Sequence, residues 1–283
     1  MIRLDFSQIF GYNKLYGILI IHVQHFMLSG VSMIPKKSQL CCLSGNALKF
    51  IAAVAMVCDH AGLLLFPRAD WMRIVGRLSF PIFAFMISEG AKHTKNRSRY
   101  LFTLASFATV IQLGYFFYSQ SLEMSVMITF AISVCLIYLL DLVKTLLFSE
   151  TAPIHQRVLS VLGLFLSIIF VRVLCAELDV DYGFWGCMLP VFASLPVTPR
   201  KDPHVFFSFT DRIPVRLATM TVGLLFLSVA LGDPQIWSLL SLPILLLYSG
   251  ERGTLRTKYF FYVFYPLHLI LLEGINMLID AIR

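Results

Sequence analysis

The sequence predicts an all-α fold, a polytopic transmembrane helix bundle of about nine spanning helices, on three observations. Only 14% of the 283 residues are charged and 58% are hydrophobic, with a mean hydropathy of +0.79, whereas soluble domains carry about 25% charged residues. Apolar stretches about twenty residues long, enough to cross a bilayer, recur from Ala47 to the end. Lysine and arginine gather between alternate stretches, as they do where they fix membrane orientation. The net charge of +7 and pI near 9.2 therefore read as a topology signal. A nucleic-acid binder would cluster its basic residues on one polar surface, so nucleic acid is not expected as a partner, and membrane lipid is. The six cysteines show no C-x-x-C spacing, so neither a disulfide framework nor a metal site is expected.

Taken in order, residues 1–32 read as an amino-terminal extension. Their apolar stretch from Leu15 to Met33 contains His22, Gln24 and His25 and lacks the basic start and small-residue cleavage site of a signal peptide. They are either an extra helix, an interfacial segment, or an artefact of gene-start assignment. Residues 33–283 read as a single transmembrane domain. Hydropathy places spans near 47–67, 71–91, 99–119, 124–148, 157–177, 182–198, 214–232, 236–250 and 258–280. The sixth and eighth are short and contain Pro190, Pro196 and Pro243, so they read as broken or re-entrant. If Lys36, Lys37 and Lys49 hold the start in the cytoplasm, Lys92, Lys95, Arg97, Arg99, Arg200 and Arg252 fall on that same side, and the acidic loop with Glu177, Asp179 and Asp181 falls outside.

Ionisable groups inside such spans are costly and usually functional. Asp59 and His60 lie two-thirds of the way along the first span, in its outer half under that orientation. They read either as a general base with an orienting acid or as polar glue between helices. The stretch Trp71 to Gly90, WMRIVGRLSFPIFAFMISEG, carries Arg77 and Glu89 with Pro81 between them. Pro81 is expected to interrupt this helix and free carbonyls toward a polar cavity. Twelve residues, about 18 Å of helix, keep Arg77 and Glu89 apart, so each needs its own partner, and Asp59 or an anionic ligand suits Arg77. The last span combines an aromatic belt, Tyr259 to Tyr265, with Pro266 and His268 near mid-membrane.

These residues carry a resemblance. The series LKxIAxxxMxxDHxG (Leu48 to Gly62), WxRxxGRLxFPxFxFxxxEGxxHT (Trp71 to Thr94), D-x-x-Y-G (Asp179 to Gly183), and GxRG followed by KYFFYxFYPxHLxxL (Gly250 to Leu272) resembles the TraX family of conjugal-transfer proteins. The resemblance implies a bacterial inner-membrane acetyltransferase, related to transmembrane acyltransferases, that acetylates the N-terminal amine of pilin with acetyl-CoA as donor. Catalysis then falls to His60 as base, assisted by Asp59, Arg77 and His268. Donor binding falls to Arg77, Lys92, Lys95, Arg97, Arg99 and Arg252, and acceptor binding to Glu89, Asp179, Tyr182 and Tyr265. Two other readings stay open: a non-enzymatic transporter or assembly factor of a pilus or secretion system, and an acyltransferase acting on a sugar, lipid or peptide.

Overall fold

Helix starts follow local chemistry. In the computed structural model, which describes residues 41–121, 123–200, 207, 210–254 and 259–282, helix α1 (Gly45–Leu64) opens at Ser44, whose hydroxyl accepts from the Ala47 amide at 3.2 Å. Two more orphan amides of that first turn, those of Gly45 and Asn46, donate to the carbonyls of Glu251 and Arg252 at 2.8 and 3.0 Å. A loop near the end of the chain thus clamps the first of the described helices. The expectation for residues 1–32 lies outside the described residues.

The second predicted span is two helices, α2 (Asp70–Gly76) and α3 (Ser79–His93). The break falls at Arg77 and Leu78, earlier than expected. Pro81 sits in the first turn of α3, where a missing amide costs nothing because no partner lies upstream. Helix α4 (Arg97–Ser119) is capped by Asn96, whose side chain accepts from the Arg99 amide at 2.8 Å. Then come α5 (Val126–Phe148), α6 (Ile154–Glu177), α7 (Gly183–Ser194), α8 (Ile213–Leu231), a 3-10 turn (Gln235–Leu240) running into α9 (Ser241–Leu246), and α10 (Phe260–Ile282).

The expected all-helical bundle is observed. Seven of the described helical spans are long and apolar enough to cross a membrane, with α2 and α3 forming one of them. The two short, proline-containing segments still traverse the bundle. Gln235 meets Arg77 while Tyr248 meets Glu89, so the 3-10 turn and α9 cover the height of α3, about 18 Å. Likewise α7 begins where Gly186 lies under Phe80, and its continuation ends where Arg200 donates to the carbonyls of Thr94 and Lys95. Pro190 lies in α7 and Pro243 in α9. Each is enclosed by longer helices, the setting in which irregular backbone is tolerated at membrane depth.

Helix α1 packs on α2, α3 and α10, α5 on α4, α6 and α7, and α7 on α8 and α3. Small residues make the first contact close: Ala52, Ala53, Ala55, Ala61 and Gly62 of α1 are buried. The outward faces of α4, α6 and α10 expose Phe102, Phe117, Leu166, Phe170, Ile270 and Leu278, apolar surface that a bilayer would cover.

One ion pair ties the middle of this packing. Glu89 of α3 and Arg216 of α8 are 5% and 2% exposed and bond directly. The Arg216 Nη2 donates to Ser88 Oγ at 2.9 Å and its Nε to the Ala193 carbonyl at 3.0 Å, while Tyr248 donates to Glu89 Oε2 at 2.9 Å. The charges are therefore both paired and fully hydrogen-bonded, as burial requires. Arg216→Met is expected to lower the unfolding free energy by about 3 to 5 kcal/mol, because it strands the Glu89 carboxylate. Thermal unfolding in detergent measures this, and Glu89→Gln added to Arg216→Met should recover most of the loss.

Candidate functional site

The site grows from the break in the second span. Gly76, the last residue of α2, has no side chain, and a Cβ there would overlap the Asp59 carboxyl group. That contact lets Arg77 reach Asp59 with both oxygens engaged: Nη2 lies 2.6 and 2.7 Å from Oδ1 and Oδ2. One turn earlier, Arg73 Nη1 lies 3.0 Å from Oδ1. Arg77 Nη1 also reaches Gln235 Oε1 at 3.4 Å. Two guanidinium groups on one carboxylate fix α1 against α2 through charge-assisted bonds.

His60 follows Asp59 and faces another way. Its Nδ1 is 2.9 Å from the Met56 carbonyl and 3.3 Å from Nε2 of His268, whose own Nδ1 is 3.1 Å from the Phe264 carbonyl. Carbonyls only accept, so the hydrogen-bond pattern assigns the proton to Nδ1 in both rings. The one proton on His60 Nδ1 is shared, with the Met56 carbonyl as its nearer acceptor and His268 Nε2 as a longer second one, and His60 Nε2 keeps a free lone pair with no bond among the described residues. The rings meet edge to face at 5.0 Å and 71°, with His268 stacked on Phe264.

Asp59, His60 and Arg77 line one end of a chamber of about 1140 Å³, with Arg73, Asp181 and Tyr182 beside them. This exceeds the usual size of a small-molecule site. Tyr182 has a left-handed backbone, φ 61°, and its ring lies flat on Phe80 at 3.8 Å. Asp181 makes no ion pair among the described residues. Burial by the surrounding walls raises its carboxyl to about 6. Solvent still reaches the side chain, so the group titrates without being sealed from water.

The opposite end of the chamber is lined by Lys49, His93, Lys95, Arg99 and Arg252. Lys49 precedes His60 by eleven residues on α1, about 16 Å of helix. Lys49, Lys95, Arg99 and Arg252 make no ion pair among the described residues. Between the two ends stand Phe80, Phe83, Met86, Phe130 and Tyr265.

The structure brings together His60 and Asp59 of α1, Arg77 of the break after α2 and His268 of α10, and it puts Glu89, Lys95, Arg99, Tyr182, Arg252 and Tyr265 on the chamber wall. It does not bring Lys92 or Arg97 there. Lys92 bonds Asp211 at 2.8 Å and Arg97 bonds Asp141 at 2.7 Å, both beside a separate pocket of about 230 Å³. Counted from the chamber, these residues lie on the far side of α3 and of the start of α4. Asp179 is also outside the chamber, and its neighbour Asp181 lines it. A left-handed turn at Asp179, φ 44°, sends the two side chains apart. Of the residues sequence reasoning passed over, Arg73 and His93 had a legible signal, each one helical turn from a chosen residue. Gln235 had none.

Gly76→Ala is expected to destabilise the protein by about 1 to 3 kcal/mol, as overpacking does. Gly114→Ala on α4, where an added methyl meets nothing within 4 Å, should be neutral or slightly stabilising. Paired unfolding curves in detergent check both.

With the geometry in place, comparison with known proteins gives the following. The family model for TraX protein matches residues 44–276. The probable fimbrial assembly protein FimC, serogroup H1, of Dichelobacter nodosus is 27% identical over 242 residues, covering 84% of this chain and 97% of that protein. Uncharacterized protein RP591 of Rickettsia prowazekii (strain Madrid E) is 31% identical over 96 residues, 33% of this chain and 36% of that one. No solved structure matches.

Proposed function

Because the chain belongs to the TraX family, we propose that it is a membrane acetyltransferase that moves the acetyl group of acetyl-CoA to the N-terminal amine of a pilus subunit. The bacterial inner membrane is its place, with the start of the matching region cytoplasmic. The observation that carries this reading is the chamber itself: one continuous space joins a cluster of uncommitted cations to a histidine with a free ring nitrogen. The name of the fimbrial assembly relative supports a pilus-related role.

The donor fits the residues present. Lys49, Lys95, Arg99 and Arg252 would hold its phosphates, and the aromatic and methionine walls suit an acyl arm. At the far end the amine nitrogen attacks the thioester carbonyl carbon, the N–C bond forms and the C–S bond breaks. The acceptor arrives as an ammonium and sheds two protons in all: one passes to solvent before attack, leaving the neutral amine, and His60 Nε2 takes the second as the N–C bond forms, then returns it to the departing sulfur, so the base is regenerated. Asp181, the unpaired carboxylate beside it, holds the incoming ammonium.

The other two members of the cluster act through their neighbours. Both ring nitrogens of His268 are engaged, so it positions His60 and supports the imidazolium as it forms. Arg77 is committed to Asp59, and the formal charges of Arg73 and Arg77 are balanced at that end of the chamber by Asp59 and Asp181 together, which suits a site where charge appears on His60. Glu89, with both oxygens already bonded, builds the wall and does not hold the acceptor.

His60→Ala is expected to reduce acetyl transfer by about 10²-fold or more, read as the mass gain of one acetyl group on a subunit peptide, with insertion and thermal unfolding unchanged. Equal rates in the variant would remove His60 from the chemistry. Asp181→Asn should raise KM for the amine about tenfold, the cost of about one charged hydrogen bond, with a smaller change in kcat. In the wild type, KM should rise as pH falls through about 6, where Asp181 takes up its proton. In Asp181→Asn it should be high and flat over that range.

A further inference from the structure

The chamber has a side as well as two ends. Helix α10 packs its backbone closely on α1, and α4 packs on α5. Between themselves α4 and α10 are joined by side chains. The Tyr262 ring stacks on Phe107 at 4.6 Å and 10°, and the Tyr118 hydroxyl donates to Glu273 Oε1 at 3.2 Å. Tyr118 follows Phe107 by eleven residues, and Glu273 follows Tyr262 by eleven. The two helices therefore run in step, tied at two levels about 16 Å apart. His268 falls midway between those levels on α10, so the seam lies at the depth of the His60–His268 pair. Chamber-lining residues stand on both sides of it: Tyr100 and Leu104 on α4, Phe261, Tyr262 and Tyr265 on α10.

The faces flanking the seam are apolar and open. Val110, Leu113 and Phe117 on α4 and Leu267, Ile270 and Leu271 on α10 are each about half exposed or more. An added methyl on Gly114 or Gly274 meets nothing within 4 Å. Such surface faces hydrocarbon in a bilayer, where apolar area alone does not drive helices together and small residues permit close approach.

We propose that the α4–α10 seam is a lateral doorway through which the amino terminus of a membrane-embedded pilus-subunit helix enters the chamber. The occupant follows from the two surfaces it must satisfy. Its body lies against an apolar face at membrane depth, and its tip carries a positive charge that meets Asp181, the chamber carboxylate without an ion-pair partner. A hydrophobic helix with a free N-terminal ammonium meets both demands. Parting the doorway breaks the Phe107–Tyr262 stack and the Tyr118–Glu273 hydrogen bond and leaves the buried Glu89–Arg216 pair of α3 and α8 intact. This inference rests on the acetyl-transfer reading for its acceptor, but its test does not.

Two measurements on the full chain decide it. First, a photo-crosslinking benzoylphenylalanine is placed at Gly114 or Ile270, and separately at the exposed Leu159 of α6, in membranes where the subunit is co-expressed. The seam positions should capture the subunit, identified by mass, at least fivefold more than Leu159. Equal capture at all three, or none at the seam, overturns the doorway whatever the chemistry. Second, Tyr118→Cys with Glu273→Cys, in a background with the native cysteines replaced, is bridged by a short bis-maleimide. Bridging should lower acetylation of the embedded full-length subunit at least tenfold while leaving a soluble N-terminal peptide within twofold. Undiminished acetylation of the full-length subunit contradicts the doorway. If neither substrate is acetylated before bridging, the acetyl-transfer reading fails, and the photo-crosslinking result alone decides the doorway.

Discussion

The grip of Arg77 on Asp59 is the interaction on which the rest depends. A carboxylate inside an apolar bundle must be matched by a cation, and the match here is made at a helix break, across a glycine that lets two backbones meet. It holds α1 to the second span at one level and leaves the next residue, His60, turned toward open space. Were the second span a straight helix, α2 and α3 would share one axis and the chamber would lose the wall that Arg73 and Arg77 form.

Charges in this protein sort into two kinds. Those with partners build the walls: Asp59 with Arg73 and Arg77, Glu89 with Arg216, Lys92 with Asp211, Arg97 with Asp141. Those without an ion-pair partner line the chamber, with Lys49, Lys95, Arg99 and Arg252 at one end and Asp181 at the other. The two ends are complementary to a polyanion and to a cation. This division is what the proposed reaction between a polyanionic donor and an amine acceptor requires.

How much of this was legible in the sequence follows from which physical signals are local. Hydropathy exposed the helical bundle and the shortness of the segments around Pro190 and Pro243, because burial in lipid acts on every residue of a span. The depth of Asp59, His60, Arg77 and His268 marked them, since ionisable groups in hydrocarbon are rare. What failed was side-chain direction. Lys92 stands on the last turn of α3, whereas Lys95 follows the extended Thr94 in the loop beyond it, so their three-residue spacing does not put them on one face, and only Lys95 lines the chamber. Asp179 and Asp181 are parted by a left-handed turn that a D-V-D-Y-G stretch does not announce. The break before Ser79 was displaced to Pro81 for the same reason: proline marks where a helix can begin as readily as where it ends. Gln235 reaches Arg77 across 158 residues of chain, a pairing that only the packed bundle can set.

A single chamber joins the cation cluster to His60, and in the proposed reaction donor and acceptor meet there. An experimental structure of the protein with a non-transferable thioether analogue of acetyl-CoA tests this most directly. The account predicts the analogue's phosphates against Lys95, Arg99 and Arg252, its arm along the aromatic wall, and its acyl carbonyl beside His60. An analogue bound outside the chamber, or His60 and the cations found in unconnected spaces, would contradict it.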